Sequence, residues 1–191
     1  MGCRVRRPAD SPPGDFRPRD PDITGGYFQP LRLDLAGVAP TFHLQRIACD
    51  LADAASDVAT QFGFSYRPNQ NPHLNPLIAR VAGAAVELAA IPAGVGVELT
   101  VHWPARDAER YAYYDREQQV LIDKREAMRV SWYVNAGTLD TQASGPSETD
   151  EPLSASNHWI APDSSGSVSL WLVLRDSRGG VDFAAYALGV Q

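Results

Sequence analysis

Cysteine is almost missing from the chain: Cys3 and Cys49 are the only two in 191 residues. One pair cannot build the multi-disulfide framework that holds small secreted domains together, so the fold must rest on a hydrophobic core. The two thiols leave three expectations open: both free, a Cys3–Cys49 disulfide, or Cys3 as a lipid-attachment residue. Lysine is scarcer still, since Lys124 stands alone among 17 basic residues. That bias fits a GC-rich genome better than a demand for guanidinium chemistry. The net charge of −6 argues against nucleic acid, whose binding needs clustered cations to replace counterions. No apolar run reaches the ~18 residues of a membrane helix. The most apolar stretch, residues 81–97, is broken by Glu87 and Pro92. Catalytic signatures are missing too. There is no G-x-S-x-G, no S-x-x-K and no Cys/His constellation, and His43, His73 and His158 are scattered. The expectation is a protein that is not an enzyme and holds no cofactor.

What is present begins with residues 1–22, which carry five prolines and only Val5 and Phe16 as large apolar side chains. Such a composition cannot bury enough surface to offset its ordering entropy, and predicts a flexible tether. Residues 1–20 hold five Arg against three Asp. Gly2-Cys3 matches the end of a bacterial lipobox, but Arg4, Arg6 and Arg7 follow at once, so no full signal peptide is seen. Two expectations follow: a cytosolic protein, or a chain whose start lies inside or after its leader.

Residues 23–67 predict a β-hairpin and a short helix. Leu31, Leu33 and Leu35 alternate with polar residues, residues 37–40 turn, and Phe42 and Leu44 lie on the return strand. Leu51, Ala54, Ala55, Val58 and Phe62 then form a helical stripe, with Asp50 as N-cap and Gly63 as terminator. Three prolines and three asparagines in residues 66–76 mark a linker. Residues 68–191 predict the main domain. Val97, Leu99, Val101 and Trp103 share one strand face, and Met128, Val130, Trp132 and Val134 another. The final hairpin alternates Leu170, Leu172 and Leu174 with Ser169, Trp171 and Val173, then Tyr186, Leu188 and Val190 with small residues. Gly179 and Gly180 tolerate the positive φ that its turn needs. Residues 108–125 read as an exposed, tyrosine-rich meander, and residues 138–157 as a long polar loop.

Trp132 on a central strand, the segment NHWIAP at 157–162, the hairpin GSVSLWLVLRD with RGGV, and the ending YALGV resemble bacterial immunoglobulin-like and PKD-like sandwich modules. The resemblance covers residues 95–190 and rests on structural motifs. It implies an all-β, immunoglobulin-like antiparallel β-sandwich with Trp132 buried between the sheets, carrying the N-terminal hairpin and helix as an extension. Two departures stand out: no inter-sheet cysteine pair, and a 108–125 segment longer than a minimal module needs. Such modules are frequent in secreted bacterial lipoproteins, so the resemblance also implies an envelope location, lipid-anchored or secreted, with Cys3 as the lipidation residue.

The expected function is therefore a non-enzymatic, envelope-tethered structural or adhesive module. It would meet an envelope protein or glycan, and touch the membrane only through a lipid anchor. The alternative is a ligand-binding module for glycan or Ca2+. Asp140, Glu148, Asp150 and Glu151 offer oxygen ligands for Ca2+, while Tyr111, Tyr113, Tyr114 and Trp171 offer aromatic contacts. Glu98 and His102 share a strand face with Thr100, where a solvated surface is the expectation. Three of the four tryptophans are expected in the core, and alternation turns Trp171 outward.

Overall fold

The computed structural model describes residues 27–47, 51 and 54–191. The tether, Cys3, Cys49 and the Asp50 cap lie outside the described residues. The chain divides into two compact units: one runs to Arg67 and takes in Tyr111–Lys124, and the other comprises Pro68–Arg110 and Arg125–Gln191.

The larger unit is an all-β sandwich. Its strands are β3 (Ile78–Val81), β4 (Ala84–Val86), β5 (Gly96–His102), β8 (Met128–Val134), β9 (Thr138–Leu139), β10 (Ala143–Ser144), β11 (Ser154–Ile160), β12 (Gly166–Asp176) and β13 (Val181–Val190). One antiparallel sheet has the order β4-β3-β5-β11-β9, the other β10-β8-β12-β13. Period-two alternation makes the core. Val97, Leu99 and Val101 from β5 meet Met128, Val130 and Trp132 from β8 and Val168, Leu170, Leu172 and Leu174 from β12, all buried in one cluster. Trp103 and Trp159 join them, and two of these indoles find partners: Trp132 Nε1 donates to Ser144 Oγ at 2.9 Å and Trp159 Nε1 to the Ala136 carbonyl at 3.1 Å. Thr100 departs from the expected solvent face. It is buried in a central strand and bonded to Ser156 Oγ at 2.9 Å.

The turn from β12 to β13 is organised by Asp176, whose Oδ1 accepts both Arg178 N and Gly180 N at 2.8 Å. Only Gly179 takes a left-handed φ, +103°. Gly180 is needed for another reason, because a Cβ there would overlap the Asp176 carboxylate. Residues 69–77 lace the end of this unit together. His73 N donates to Asp107 Oδ2, Leu74 N to Asp182 Oδ2 and Leu77 N to the Tyr186 hydroxyl, while Asn71 Oδ1 accepts Val181 N at the edge of β13. The β13 edge is thereby capped at its first residue, Val181. The polar stretch 138–157 is less of a loop than its composition suggests. It contains β9 and β10 and the first half of β11, pinned where Asn157 exchanges bonds with the Thr141 backbone.

The smaller unit holds the antiparallel hairpin β1 (Tyr27–Leu33) and β2 (Thr41–Ile47), helix α1 (Ser56–Ser65), and most of a second hairpin, β6 (Arg110–Asp115) and β7 (Val120–Arg125). Helix α1 starts at Ser56, and Gly63 lies inside it rather than ending it. Its Phe62 packs with Leu51 and Tyr114, flanked by Ala54, Val58, Tyr66, Ala112 and Leu121. The leucines of β1 behave otherwise than alternation suggests, since Leu31 and Leu33 are exposed, as is Phe42.

Candidate functional site

The outward face of β8, β12 and β13 carries the most distinctive exposed chemistry of the sandwich. The side chains that alternate away from the core are Arg129, Ser131 and Tyr133 on β8, Ser169, Trp171, Val173 and Arg175 on β12, and Val181, Phe183, Ala185 and Ala187 on β13. Register sets them in rows: Trp171 lies opposite Tyr133 and Ala185, Val173 opposite Ser131 and Phe183, and Arg175 opposite Arg129 and Val181. Trp171 is 43% exposed, Tyr133 53% and Phe183 75%. Three aromatic rings thus stand on neighbouring strands of one sheet face. Burial of comparable side chains in the core shows that nothing in their chemistry keeps them wet; the strand alternation does. The cationic end of the face is uncompensated. Among the described residues neither Arg129 nor Arg175 has a carboxylate partner, and Arg175 Nη1 reaches only Ser131 Oγ, at 3.5 Å.

A second cluster lies inside the same unit, where Glu109, Glu126 and Asp176 surround Arg178. The Arg178 and Glu126 side chains are fully buried, and Arg178 Nη1 lies 3.4 Å from both Glu126 Oε1 and Glu109 Oε2. Glu126 Oε2 also accepts Glu109 N at 2.9 Å, and Asn69 Nδ2 donates to both Asp176 oxygens. Burial disfavours the charged form, and the neighbouring Asp176 carboxylate adds to it. Together they push Glu126 up to about 7 despite the Glu109 N–H and the Arg178 charge. A carboxyl titrating near neutrality is suited to proton transfer, but this one has no exposed surface through which a substrate could reach it. Its evident role is to hold the roots of the strands at 109 and 126 against the β12–β13 turn.

The residues singled out from sequence distribute unevenly. Tyr111 and Tyr114 are buried, so residues 108–125 form a hairpin with a packed face and not an exposed meander. A phenol is mostly hydrocarbon ring and can be packed, but the two tyrosines are three residues apart and so lie on opposite faces of β6, a burial that a period of two does not signal. Tyr113 is partly exposed, with Lys124 Nζ 4.2 Å from its ring centroid. Trp171 alone of the four aromatics joins a larger surface. The acidic residues do not come together as a Ca2+ site: among the described residues no three His, Cys, Asp or Glu side chains are placed to hold a metal. Local bonds explain the separation. Asp140 Oδ2 lies 3.6 Å from His158 Nδ1. Asp150 turns back to Ser147, whose N–H and hydroxyl hold its carboxyl below the ordinary range. Glu98 and His102 likewise belong to no metal cluster.

Sequence reasoning found Trp171 but missed Tyr133 and Phe183. The signal was available: both fall on the odd, outward positions of strands whose even positions, Asp182 apart, are apolar or aromatic. The buried Arg178 cluster left no such trace, because its carboxylates are spread over residues 109–176. Compared with protein-family models and with curated proteins, the chain matches none.

Proposed function

We propose that the chain is a non-enzymatic, immunoglobulin-like contact module of a bacterial envelope lipoprotein, working through the outward face of β8, β12 and β13. The observation that carries this reading is the group of exposed Tyr133, Trp171 and Phe183 in two adjacent rows of one sheet face. Aromatic side chains supply large contact area at low entropic cost, and with arginine they dominate the energetics of recognition surfaces. The immunoglobulin-like part is supported by strand order. β3, β5 and β11 lie side by side in the order A-B-E, and β8, β12 and β13 in the order C-F-G, with Ile91 bridging in parallel to Val190; the short strands depart from that plan, since β9 beside β11 precedes β10 beside β8 in the chain, the reverse of C′ before D. The envelope part is supported by the Gly2-Cys3 pair and the proline-rich stretch that follows it.

A photoreactive phenylalanine analogue placed at 183 in the native cells tests the contact, with the same analogue at Ile160, exposed on the opposite sheet, as reference. A covalent adduct from position 183 and none from 160 is expected. Equal yields, or none from either, would remove the face as the working surface, and recovery of the protein only in the soluble cytosol would remove the envelope assignment.

A further inference from the structure

We propose that this face binds an acidic polysaccharide, with sugar rings lying on Trp171 and Tyr133 and a uronic acid carboxylate held between Arg175 and Arg129. The inference rests on the contact reading above and names the ligand class of that surface.

Three consecutive outward rows of β8 and β12 define the lane: Trp171 opposite Tyr133, Val173 opposite Ser131, and Arg175 opposite Arg129. Four residues of extended strand separate Trp171 from Arg175, about 13 Å. One end is aromatic and the other cationic, so the ligand must be longer than one ring and carry unlike groups along its length. A pyranose presents a flat C–H face that packs on an aromatic ring, and keeps its hydroxyls at the rim. Ser131 and Ser169, half-buried beside the aromatic row, offer donor and acceptor hydroxyls to that rim.

The arginines decide the charge of the ligand. Like charges directly opposite on paired strands repel, and Arg129 and Arg175 stand opposite each other with no carboxylate partner among the described residues. An anion placed between them removes the repulsion, and the guanidinium fork matches a carboxylate. A neutral glycan would leave that pair unused. A second copy of this chain fits worse, because the outward residues of β8, β12 and β13 include no Asp or Glu. Face-to-face packing would therefore add two more uncompensated guanidinium groups. Within a chain of net charge −6, a cationic end beside an aromatic row is a local feature that composition does not produce by itself.

Calorimetric titration of the full chain at low salt, with oligogalacturonate and with its carboxyl-reduced neutral counterpart, tests this. Binding of the acidic sugar is expected, weaker by about tenfold or more in Trp171→Ala, in the Arg129→Gln/Arg175→Gln pair, and for the reduced sugar. The arginine pair should also lose the dependence on salt. All three side chains are exposed, so unchanged thermal midpoints will show that the variants fold. Absence of binding by the wild type, equal binding by the variants, or equal binding of both sugars would overturn the proposal. Concentration-dependent dimerisation lost in Trp171→Ala, with no sugar binding, would overturn it in favour of a second copy. An adduct from position 183 without sugar binding would overturn the glycan while leaving the contact reading in place.

Discussion

The two units differ in how much apolar surface each buries per strand it orders. In the sandwich, twenty buried apolar residues form one continuous cluster between two sheets. In the smaller unit the described residues form a cluster of three, Leu51, Phe62 and Tyr114, with Tyr111 buried outside it, while Leu31, Leu33, Leu35, Val38 and Phe42 of the first hairpin region stay exposed. Both regions contain clean hairpins, so strand pairing is common to them and the second layer is not. A two-stranded ribbon is marginal alone, and only a facing layer converts alternation into burial. The lesson is that alternation specifies which side of a strand is apolar, whereas the partner sheet decides whether that side is dry.

The comparison breaks most readily at Trp132. It is buried in the sandwich core and its indole N–H is bonded to Ser144, so Trp132→Ala leaves a cavity and removes one of the two hydrogen bonds of the Ser144 hydroxyl, which still donates to the Ser156 carbonyl. Loss of about 3–5 kcal/mol is expected in urea unfolding, against within about 0.5 kcal/mol for the exposed Glu98→Ala. The loss should fall on the sandwich transition alone. Equal effects of the two substitutions would mean that Trp132 does not face the core of the sandwich.

Most of the sandwich was legible in the sequence because its strands alternate strictly. The inward sets on β5, β8 and β12, the buried Trp132 and the outward Trp171 all follow from a period of two. Legibility failed where a residue's chemistry is mixed or its partner is remote. Tyr111 and Tyr114 looked polar and are packed. Thr100 sits on the solvent side of its strand yet is covered between β3 and β11. Gly179 and Gly180 both tolerate the positive φ that the turn needs. In fact one glycine supplies the conformation and the other leaves room for the Asp176 carboxylate. The site was half legible: one of its aromatics was found, and its arginine pair was not, because the pairing of β8 with β12 is a register and not a motif.

The next test separates the units by pH. Glu126 ionises near 4.5 in the unfolded chain and at about 7 in the fold. Below 4.5 both states hold the proton and the group has no effect. Between 4.5 and 7 the fold binds more protons than the unfolded chain, so stability falls as pH rises, by about 3 kcal/mol in total, and then levels off. Urea unfolding at pH 5 and 7.5 should show this slope in the sandwich transition, and Glu126→Gln should flatten it. A slope unchanged by the substitution would place the titration elsewhere.

The smallest expected effect belongs to the thinner core. Tyr114 is buried against Leu51 and Phe62, and its hydroxyl has no hydrogen-bond partner among the described residues. Burying an unpaired hydroxyl costs free energy that the ring's burial must offset. Tyr114→Phe keeps the ring and removes the cost, so it should raise the stability of the smaller unit by up to about 1 kcal/mol. Thermal unfolding followed by amide exchange at residues 56–65 and 111–124 would register the gain. A loss of stability instead would mean that the hydroxyl is hydrogen-bonded in solution. The small core would then be held by a polar contact as well as by its two rings and Leu51, narrowing the contrast with the sandwich.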